Sequence, residues 1–536
     1  MGVKHNITKI LKFGGIYFLP MAVLLVLGFF FVSNSIEYLK ELIAFFFFIA
    51  ALFSIVLLFS NNKIRKILTI LFLLILLVLL VIKLSFYSHY GTKVSASALF
   101  VIFETNGLEA SEFLTNYINL TVVGIMCVCI IVLGLAIYFL NKPNYINFES
   151  NLRLKLFSLL ILFLSLGIIH FKFSSENIII SSVKSFSDYK ITKSNLKKNL
   201  AQPLSNNIKV KATSKEEKTY VVVIGESTSK WHMQLYGYGR ETNPKLSAIK
   251  DELVIFDSII TPNVHTLRAL EKILTLSDFH FPNRENNASL VQMANAAGFE
   301  TFWISNQKPV GIYESIPTII SSAAKHKTYA NTKESGYAVY DEILLPYLKE
   351  ALDSKAKQKL IFIHLIGTHA IYNKRYPETF DFFKDETNTD FKHSKSKRTI
   401  NEYDNAIRYN DFVLREIIEQ VRIKNENSYV VYFSDHGDEV YDTFDFVGHN
   451  EYHGTRPMYE IPFIAWFSNK YKANNLELFN FKKITKRPYV LEDFIHSFSE
   501  ISNITFDRFD AKKSIFNQGF NKKLRLVKKG EDYDKR

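Results

Sequence analysis

The sequence predicts two architectures in one chain: an α-helical membrane domain of five spans, then an α/β domain on a doubly wound sheet. Two observations predict the first. Apolar runs such as "TILFLLILLVLLVIKL" all lie before Phe173. Five of them are apolar over about 20 residues, enough to cross a ~30 Å hydrocarbon core as helices. One observation predicts the second: beyond Thr219, short apolar runs bounded by polar turns alternate with helical periods. At 536 residues and 48% hydrophobic, the chain exceeds one ordinary domain. The expected division is a membrane domain over 1–173, a basic interfacial linker over 174–218 and a catalytic domain over 219–536.

The spans fall near 12–33, 38–60, 66–84, 121–141 and 154–172. The first is too long, and too poorly followed by small residues, for a cleaved signal peptide. Lys4, Lys9 and Lys12 precede it. Lys63, Arg65 and Lys66 lie in the second loop, and Lys142, Arg153 and Lys155 in the fourth, whereas residues 34–38 carry no basic residue until the next span. The positive-inside rule then makes the N-terminus cytoplasmic, and five spans put everything after Phe173 outside. The loop from about Ser85 to Leu120 reads as an amphipathic segment at the interface, with Glu104, Glu109 and Glu112 near the bilayer. The Lys-rich 181–218 stretch suits anionic lipid. The net charge of +13 fits a membrane partner, and no nucleic acid is expected. The only cysteines, Cys127 and Cys129, lie in the fourth span, so the external domain has neither a disulfide nor a thiolate metal site.

In the external part "YVVVIGES" reads as a strand, "NPKLSAIKDE" as helical and "LVIFDSII" as extended. "TLRALEKILTLSD" and "ASLVQMANAAG" read as helices. "FETFWISNQ", "KLIFIHLIGTH", "SYVVYFSDHG" and "IPFIAWFS" read as buried parallel strands. "NEYDNAIRYNDFVLREIIEQVRI" puts Ala406, Ile407, Val413, Ile417 and Val421 on one helical face.

In open α/β sheets, ligands bind outside the carboxyl ends of the strands. Those ends carry Glu226; His364 and His369; and Asp435, His436 and Asp438. His449 and His453 follow in "FVGHNEYHGT". An Asp oxygen beside a His nitrogen suits zinc or manganese better than calcium, and Glu226 would add a third ligand. "DHG" alone is a weak signal; several such strand ends in one sheet are a stronger one. Thr266 opens a helix, where a capping role would suffice by itself. Helix N-terminal amides also favour an anion, and a metal on the hydroxyl oxygen would make it a nucleophile. The segment lacks the Cys/Ser-x-Pro-x-Arg pattern of formylglycine enzymes.

"VVVIGESTSKWHMQLYGYGRETNPKL", "TPNVHTLRAL", "HLIGTHAIYNKRYP" and "YFSDHGDEVYD…GHNEYHGTRPMYEIPF" resemble the successive motifs of bacterial phosphoethanolamine transferases. These belong to the alkaline phosphatase/sulfatase superfamily and include the mobile colistin resistance enzymes. The "DHGDEVYD…GHN" form resembles the C type. The resemblance covers nearly the whole chain and implies an alkaline phosphatase/sulfatase-like sheet. It implies zinc held by Glu226, Thr266, Asp435 and His436, with Thr266 as nucleophile. His369 and His449 match residues that bind the phosphate or a second zinc. His364 reads as structural, and His453 is an alternative to His449. Asn306 and Gln307 sit where the family lines its substrate pocket, and Thr105 and Glu109 resemble its headgroup-contacting pair.

The implied enzyme sits in a bacterial inner membrane with its catalytic domain in the periplasm, and acts as a monomer. It moves phosphoethanolamine from phosphatidylethanolamine to lipid A, a core sugar or a protein through phospho-threonine. Capping a lipid phosphate this way would weaken binding of polymyxin. Two departures stand out: the family's disulfides are missing, and Val101 replaces an Asn found in many relatives. Two other readings remain open. One is a phosphoglycerol transferase of the lipoteichoic acid synthase type; the other is a non-catalytic protein that binds lipid headgroups.

Overall fold

The computed structural model describes residues 2–536 except 33–34, 95–98, 100–116, 144, 201–202, 206, 213–215, 282–286, 308–315, 332–338, 386, 388, 476–483 and 529. The chain divides into two compact units, residues 1–189 and 190–536.

Among the described residues, the first unit holds five helices long and apolar enough to cross a membrane. They are α1 (Gly2–Phe31), α2 (Ser35–Leu57), α3 (Asn62–Tyr90), α4 (Leu120–Leu140) and α5 (Leu152–Lys172). At 1.5 Å per residue even the shortest, of 21 residues, reaches about 31 Å. Three open on an Asn cap. Asn61, Asn119 and Asn151 each accept from backbone amides of the first turn, which would otherwise be orphaned. Helix α3 runs on to Tyr90 and closes at Gly91, so the first part of the expected 85–120 loop is helical. Thr105 and Glu109 lie outside the described residues. Phe13, Tyr17, Ile49, Leu76 and Leu80 pack the core of this unit. Helix α6 (Ile178–Leu200) occupies much of the stretch read as a linker.

The second unit is built on seven strands: β1 (Lys218–Gly225), β2 (Leu253–Ile255), β3 (Glu300–Ser305), β4 (His326–Tyr329), β5 (Gln358–His364), β6 (Ser428–Ser434) and β7 (Phe463–Phe467). Their order is β2-β7-β6-β1-β5-β3-β4. Strands β6, β1, β5, β3 and β4 are parallel. The expectation that "IPFIAWFS" is parallel is corrected: β7 runs antiparallel to both β6 and β2. A strand buried on both faces reads the same in either direction. Here the link from β6 contains only a short hairpin and the one-turn helix Arg456–Tyr459, with no long helix to carry the chain across.

Alternate residues of β1 feed two cores. Tyr220, Val222 and Ile224 face α7 (Thr266–Ile273), α8 (Leu290–Ala296) and α11 (Phe494–Ile501). Val221 and Val223 face α9 (Leu345–Leu352) and the 30-residue α10 (Ser394–Ile423). The five predicted residues of α10, Ala406, Ile407, Val413, Ile417 and Val421, are all buried. Each fully buried Val or Ile contributes about 1.5–3 kcal/mol. With β1 central and covered on both faces, its carboxyl end and those of β5 and β6 lie side by side.

Candidate metal and nucleophile site

The chain leaves β1 through a tight turn. Ser227 has φ +57°, a left-handed conformation that costs a non-glycine residue energy and is held by its surroundings. The Tyr403 hydroxyl of α10 donates to the Ser227 carbonyl (2.7 Å) and accepts from the Ser229 amide (2.8 Å). From β5, the Thr368 amide donates to the Glu226 carbonyl (3.0 Å). Gly367, at φ +53°, lies so close that an added Cβ would stand 2.7 Å from that carbonyl oxygen. From β6, the Ser227 amide donates to Asp435 Oδ1 (3.2 Å). Three adjacent strand ends are thus laced around one carboxylate.

Glu226, Asp435 and His436 are all but fully buried, and their ligand atoms lie within 4.8 Å of one another. Thr266 Oγ1 is 3.3 and 3.2 Å from the two Glu226 oxygens and 3.3 Å from His436 Nε2. His436 Nε2 is 3.3 Å from Glu226 Oε1 and 3.5 Å from Asp435 Oδ2. A tetrahedral shell at zinc's usual distances of about 2.0–2.1 Å has edges of about 3.3–3.4 Å. The donor set therefore fits such a cation in both chemistry and spacing. Asp435 Oδ2 is buried with no hydrogen-bond partner among the described residues, as an oxygen aimed at a cation would be. His436 Nδ1 lies 3.1 Å from the Gly437 carbonyl; the carbonyl can only accept, so Nδ1 carries the proton and Nε2 faces the centre.

The electrostatics agree. Burial and the neighbouring Glu226 charge push the Asp435 carboxyl well above the carboxylate range. Burial alone would lower His436, but Asp435 and Glu226 draw it up to about 10. Burial would raise Glu226 too, yet the hydrogen bond and charge of His436, with the charges of His369 and His449, hold it well below its ordinary value. Two carboxylates facing a single imidazole in a dry pocket call for further positive charge.

His449 is brought to this cluster. Its ring centroid lies 4.1 Å from that of His436, and its Nδ1 lies 2.8 Å from Asp438 Oδ1. Burial and the His436 charge pull its pKa below the ordinary histidine value, against the opposing pull of Asp438. Asp438, His436 and His449 form a second group with ligand atoms within 4.8 Å. His453 instead packs against Phe444 and Phe446, with ring centroids at 4.7 and 5.3 Å. His369 offers a buried Nδ1 with no hydrogen-bond partner among the described residues. His364 sits in the sheet beside Ser305 and Trp303, and burial lowers its pKa to about 4.

The pair Asn306 and Gln307 splits. Gln307 Nε2 donates to Glu226 Oε2 (3.2 Å) and to the Leu365 carbonyl (2.9 Å). Asn306 turns away and donates to the Val339 carbonyl and to Asp341 Oδ1, both at 2.9 Å. Thr266 is the first residue of α7 rather than its cap. The cap is His265, whose buried ring lies 5.1 Å from that of His449 and whose pKa is held well below the ordinary value by burial and the nearby His449 and His436. Sequence reasoning passed over His265, although it directly precedes the nucleophile candidate. It also gave no role to Tyr403, which lies on the same buried face as Ala406 and Ile407, where a tyrosine reads as core.

Residues 218–504 match the family described as Sulfatase. Over 483 residues the chain is 33% identical to phosphoethanolamine transferase EptC of Escherichia coli K12, covering 84% of this chain and 82% of that one. It is 31% identical to phosphoethanolamine transferase CptA of Salmonella typhimurium over 481 residues, with the same coverage. The second unit is similar to the crystal structure of the C-terminal periplasmic domain of E. coli EptC in complex with Zn, with TM-score 0.57 and 36% identity over 62% of this chain and 94% of that one. Across 93% of its length the chain shares the fold of the integral membrane lipooligosaccharide phosphoethanolamine transferase A of Neisseria meningitidis, covering 97% of that chain with TM-score 0.68 and 19% identity. Sequence and fold together make this chain a membrane-anchored member of the phosphoethanolamine transferases, of the EptC type, within the sulfatase family.

Proposed function

We propose that this enzyme takes phosphoethanolamine from phosphatidylethanolamine onto Thr266 and passes it to an acceptor of the cell envelope: a lipid A phosphate, a lipooligosaccharide core hydroxyl or a protein hydroxyl. One observation carries the reading: a hydroxyl at the first turn of a helix lies 3.2–3.3 Å from a buried carboxylate and an imidazole that share a donor set with Asp435. Zinc held by Glu226, Thr266, Asp435 and His436 would supply Lewis acidity and ease ionisation of the Thr266 hydroxyl. That relatives are named for this transfer, and one is solved with Zn, supports both assignments.

In the first displacement Thr266 Oγ1 bonds to phosphorus as its proton passes to His449 Nε2, the bond from phosphorus to the diacylglycerol oxygen breaks, and that proton is handed to the leaving oxygen. The first turn of α7, its amides directed away from the helix, would favour the charge of the phosphoryl oxygens. In the second, the acceptor oxygen bonds to phosphorus and the Thr266 ester breaks. His449, its Nδ1 fixed on Asp438 and its pKa drawn below the ordinary value by burial, offers Nε2 to take the acceptor's proton and return it to Thr266. Two displacements give retention at phosphorus. The N-terminus lies in the cytoplasm and residues after Phe173 in the periplasm.

The test is trapping. Membranes carrying the enzyme are fed phosphatidylethanolamine or phosphatidylglycerol labelled in the headgroup, and peptides are analysed by mass spectrometry. A phosphoethanolamine adduct on Thr266 from the first lipid alone is expected. A phosphoglycerol adduct, or label on another residue, overturns the reading.

A further inference from the structure

The segment "KWHMQLYGYGRET" has no role in the chemistry above, yet it buries a histidine between two carboxylates. His232 is 2% exposed. Its Nδ1 lies 2.6 Å from Asp404 Oδ1 on α10. Its Nε2 lies 3.1 Å from Asp442 Oδ1, at ion-pair distance though off the line of a hydrogen bond. A carboxylate on each ring nitrogen requires both to carry protons. Burial alone would lower the pKa, but Asp442 and Asp404 raise it to about 10.

Asp404 is itself fastened. Its Oδ2 accepts from Tyr238 (2.9 Å) and Arg240 (2.8 Å). Asp442 lies in the turn of the hairpin formed by Glu439–Val440 and Val447–Gly448. That hairpin begins directly after Asp438 and ends directly before His449. Buried Glu439 holds the turn by accepting from the amides of Asp442 and Thr443 (2.6 and 2.7 Å). Neighbouring residues of α10 thus reach both walls of the site: Tyr403 braces the Glu226 turn, and Asp404 reaches the opposite loop through His232.

We propose that His232 is a positioning residue whose ring ties the His449-bearing hairpin to α10, setting where His449 stands relative to Thr266. Its ring contacts, Asp404, Asp442, Tyr238 and Tyr403, lie outside the ligand set of Glu226, Thr266, Asp435 and His436. This rests on the transfer reading above for its kinetic test, but not for its structural one.

Asn and Gln separate the two contacts, because Asn places its amide nitrogen near the Nδ1 position of histidine and Gln near Nε2. The full-length chain in detergent is compared as wild type, H232N, H232Q and D442N, with headgroup-labelled phosphatidylethanolamine as donor. H232N and D442N are expected to lower kcat about 10-fold or more with little change in KM, as misplacement of a reacting group does. Both should keep wild-type zinc content, and H232N/D442N should be no worse than either single variant. H232Q, which keeps the Asp442 contact but gives up the one to Asp404, cuts the tie at its other end and should fall with them. Hydrogen exchange in residues 439–450 should quicken in H232N, H232Q and D442N alike.

A D442N protein that transfers at the wild-type rate with unchanged exchange in this hairpin overturns the proposal. So does a double variant whose losses multiply. If H232N fails to fold, D442N decides alone, because the Asp442 side chain sits at the rim, 13% exposed, and its change leaves the His232–Asp404 pair in place. An active Thr266→Ala run in parallel overturns the nucleophile assignment instead, and the exchange measurement then still judges His232.

Discussion

Each unit of this protein buries a cluster of charge, and the two clusters are built oppositely. In the membrane unit, Glu41 faces Lys83 (2.9 Å) through one oxygen and the Tyr87 hydroxyl (2.9 Å) through the other. Lys83 also donates to the Glu176 carbonyl (3.2 Å). Charge is cancelled and both oxygens are answered, as a low-dielectric setting demands. In the catalytic unit, Glu226 and Asp435 face the single imidazole of His436, and one Asp435 oxygen has no hydrogen-bond partner among the described residues. Cost alone would select against that arrangement unless a ligand completes it. A closed buried cluster is architecture; an open one is where chemistry is done.

Opening the chemical cluster further should have the largest effect. Thr266→Ala removes the proposed nucleophile and is expected to cut transfer about 10³-fold or more, measured with labelled donor. It leaves Glu226, Asp435 and His436 in place, so the protein should still hold metal. Asp435→Asn should weaken metal retention and abolish the rise in thermal stability that added zinc gives. Zinc must displace protons from Asp435 and His436, whose pKa values are both raised. Affinity should therefore fall as pH falls, with protons released on binding. Calorimetry in buffers of different ionisation enthalpy measures that release.

The open cluster was legible in the sequence because its members sit at predictable places: strand ends for Glu226, Asp435 and His436, and a helix start for Thr266. Their common spacing of 3.2–3.5 Å could not be read there, since it comes from the order of three strands. The reversed direction of β7 was hidden because Phe463–Phe467 is buried on both faces and carries no alternation. Asn306 and Gln307 were read as a pair, but adjacent residues leaving a strand point apart, so only Gln307 reaches Glu226. Tyr403 escaped notice because a tyrosine on an apolar helix face reads as core, and His232 because a histidine in a turn looks solvated, until a partner 170 or more residues away is known.

Closing and opening the membrane cluster comes next in size. Lys83→Met strands the Glu41 carboxylate among helices, and breaking a buried pair this way costs about 3–5 kcal/mol. The double variant Glu41→Leu/Lys83→Met removes both charges and should recover most of that loss. Thermal unfolding of the two proteins in detergent makes the comparison. If the double variant is as unstable as the single one, the pair is more than mutual cancellation.

The smallest effect is expected at a closed cluster inside the catalytic unit, which separates closure from location. Glu460 accepts from the Tyr533 hydroxyl (2.6 Å), Trp231 Nε1 (2.9 Å) and Arg456, and lies 3.1 Å from Lys230. Burial alone would raise its pKa; the Tyr533 hydrogen bond, the Lys230 charge and Arg456 together lower it from 4.5 to about 2. A lowered carboxylate pKa stabilises the fold above the unfolded value, and the contribution is lost as pH falls through the folded one. The window here runs from about 4.5 down to about 2, and the shift corresponds to about 3 kcal/mol at most. Glu460→Gln should lower stability at pH 7 by up to that amount and flatten the acid limb across this window, followed by denaturant unfolding at stepped pH. Because Glu460 lies outside the ligand set, zinc content should not change. A loss of zinc with this variant would mean that the closed and open clusters of the catalytic unit are one network.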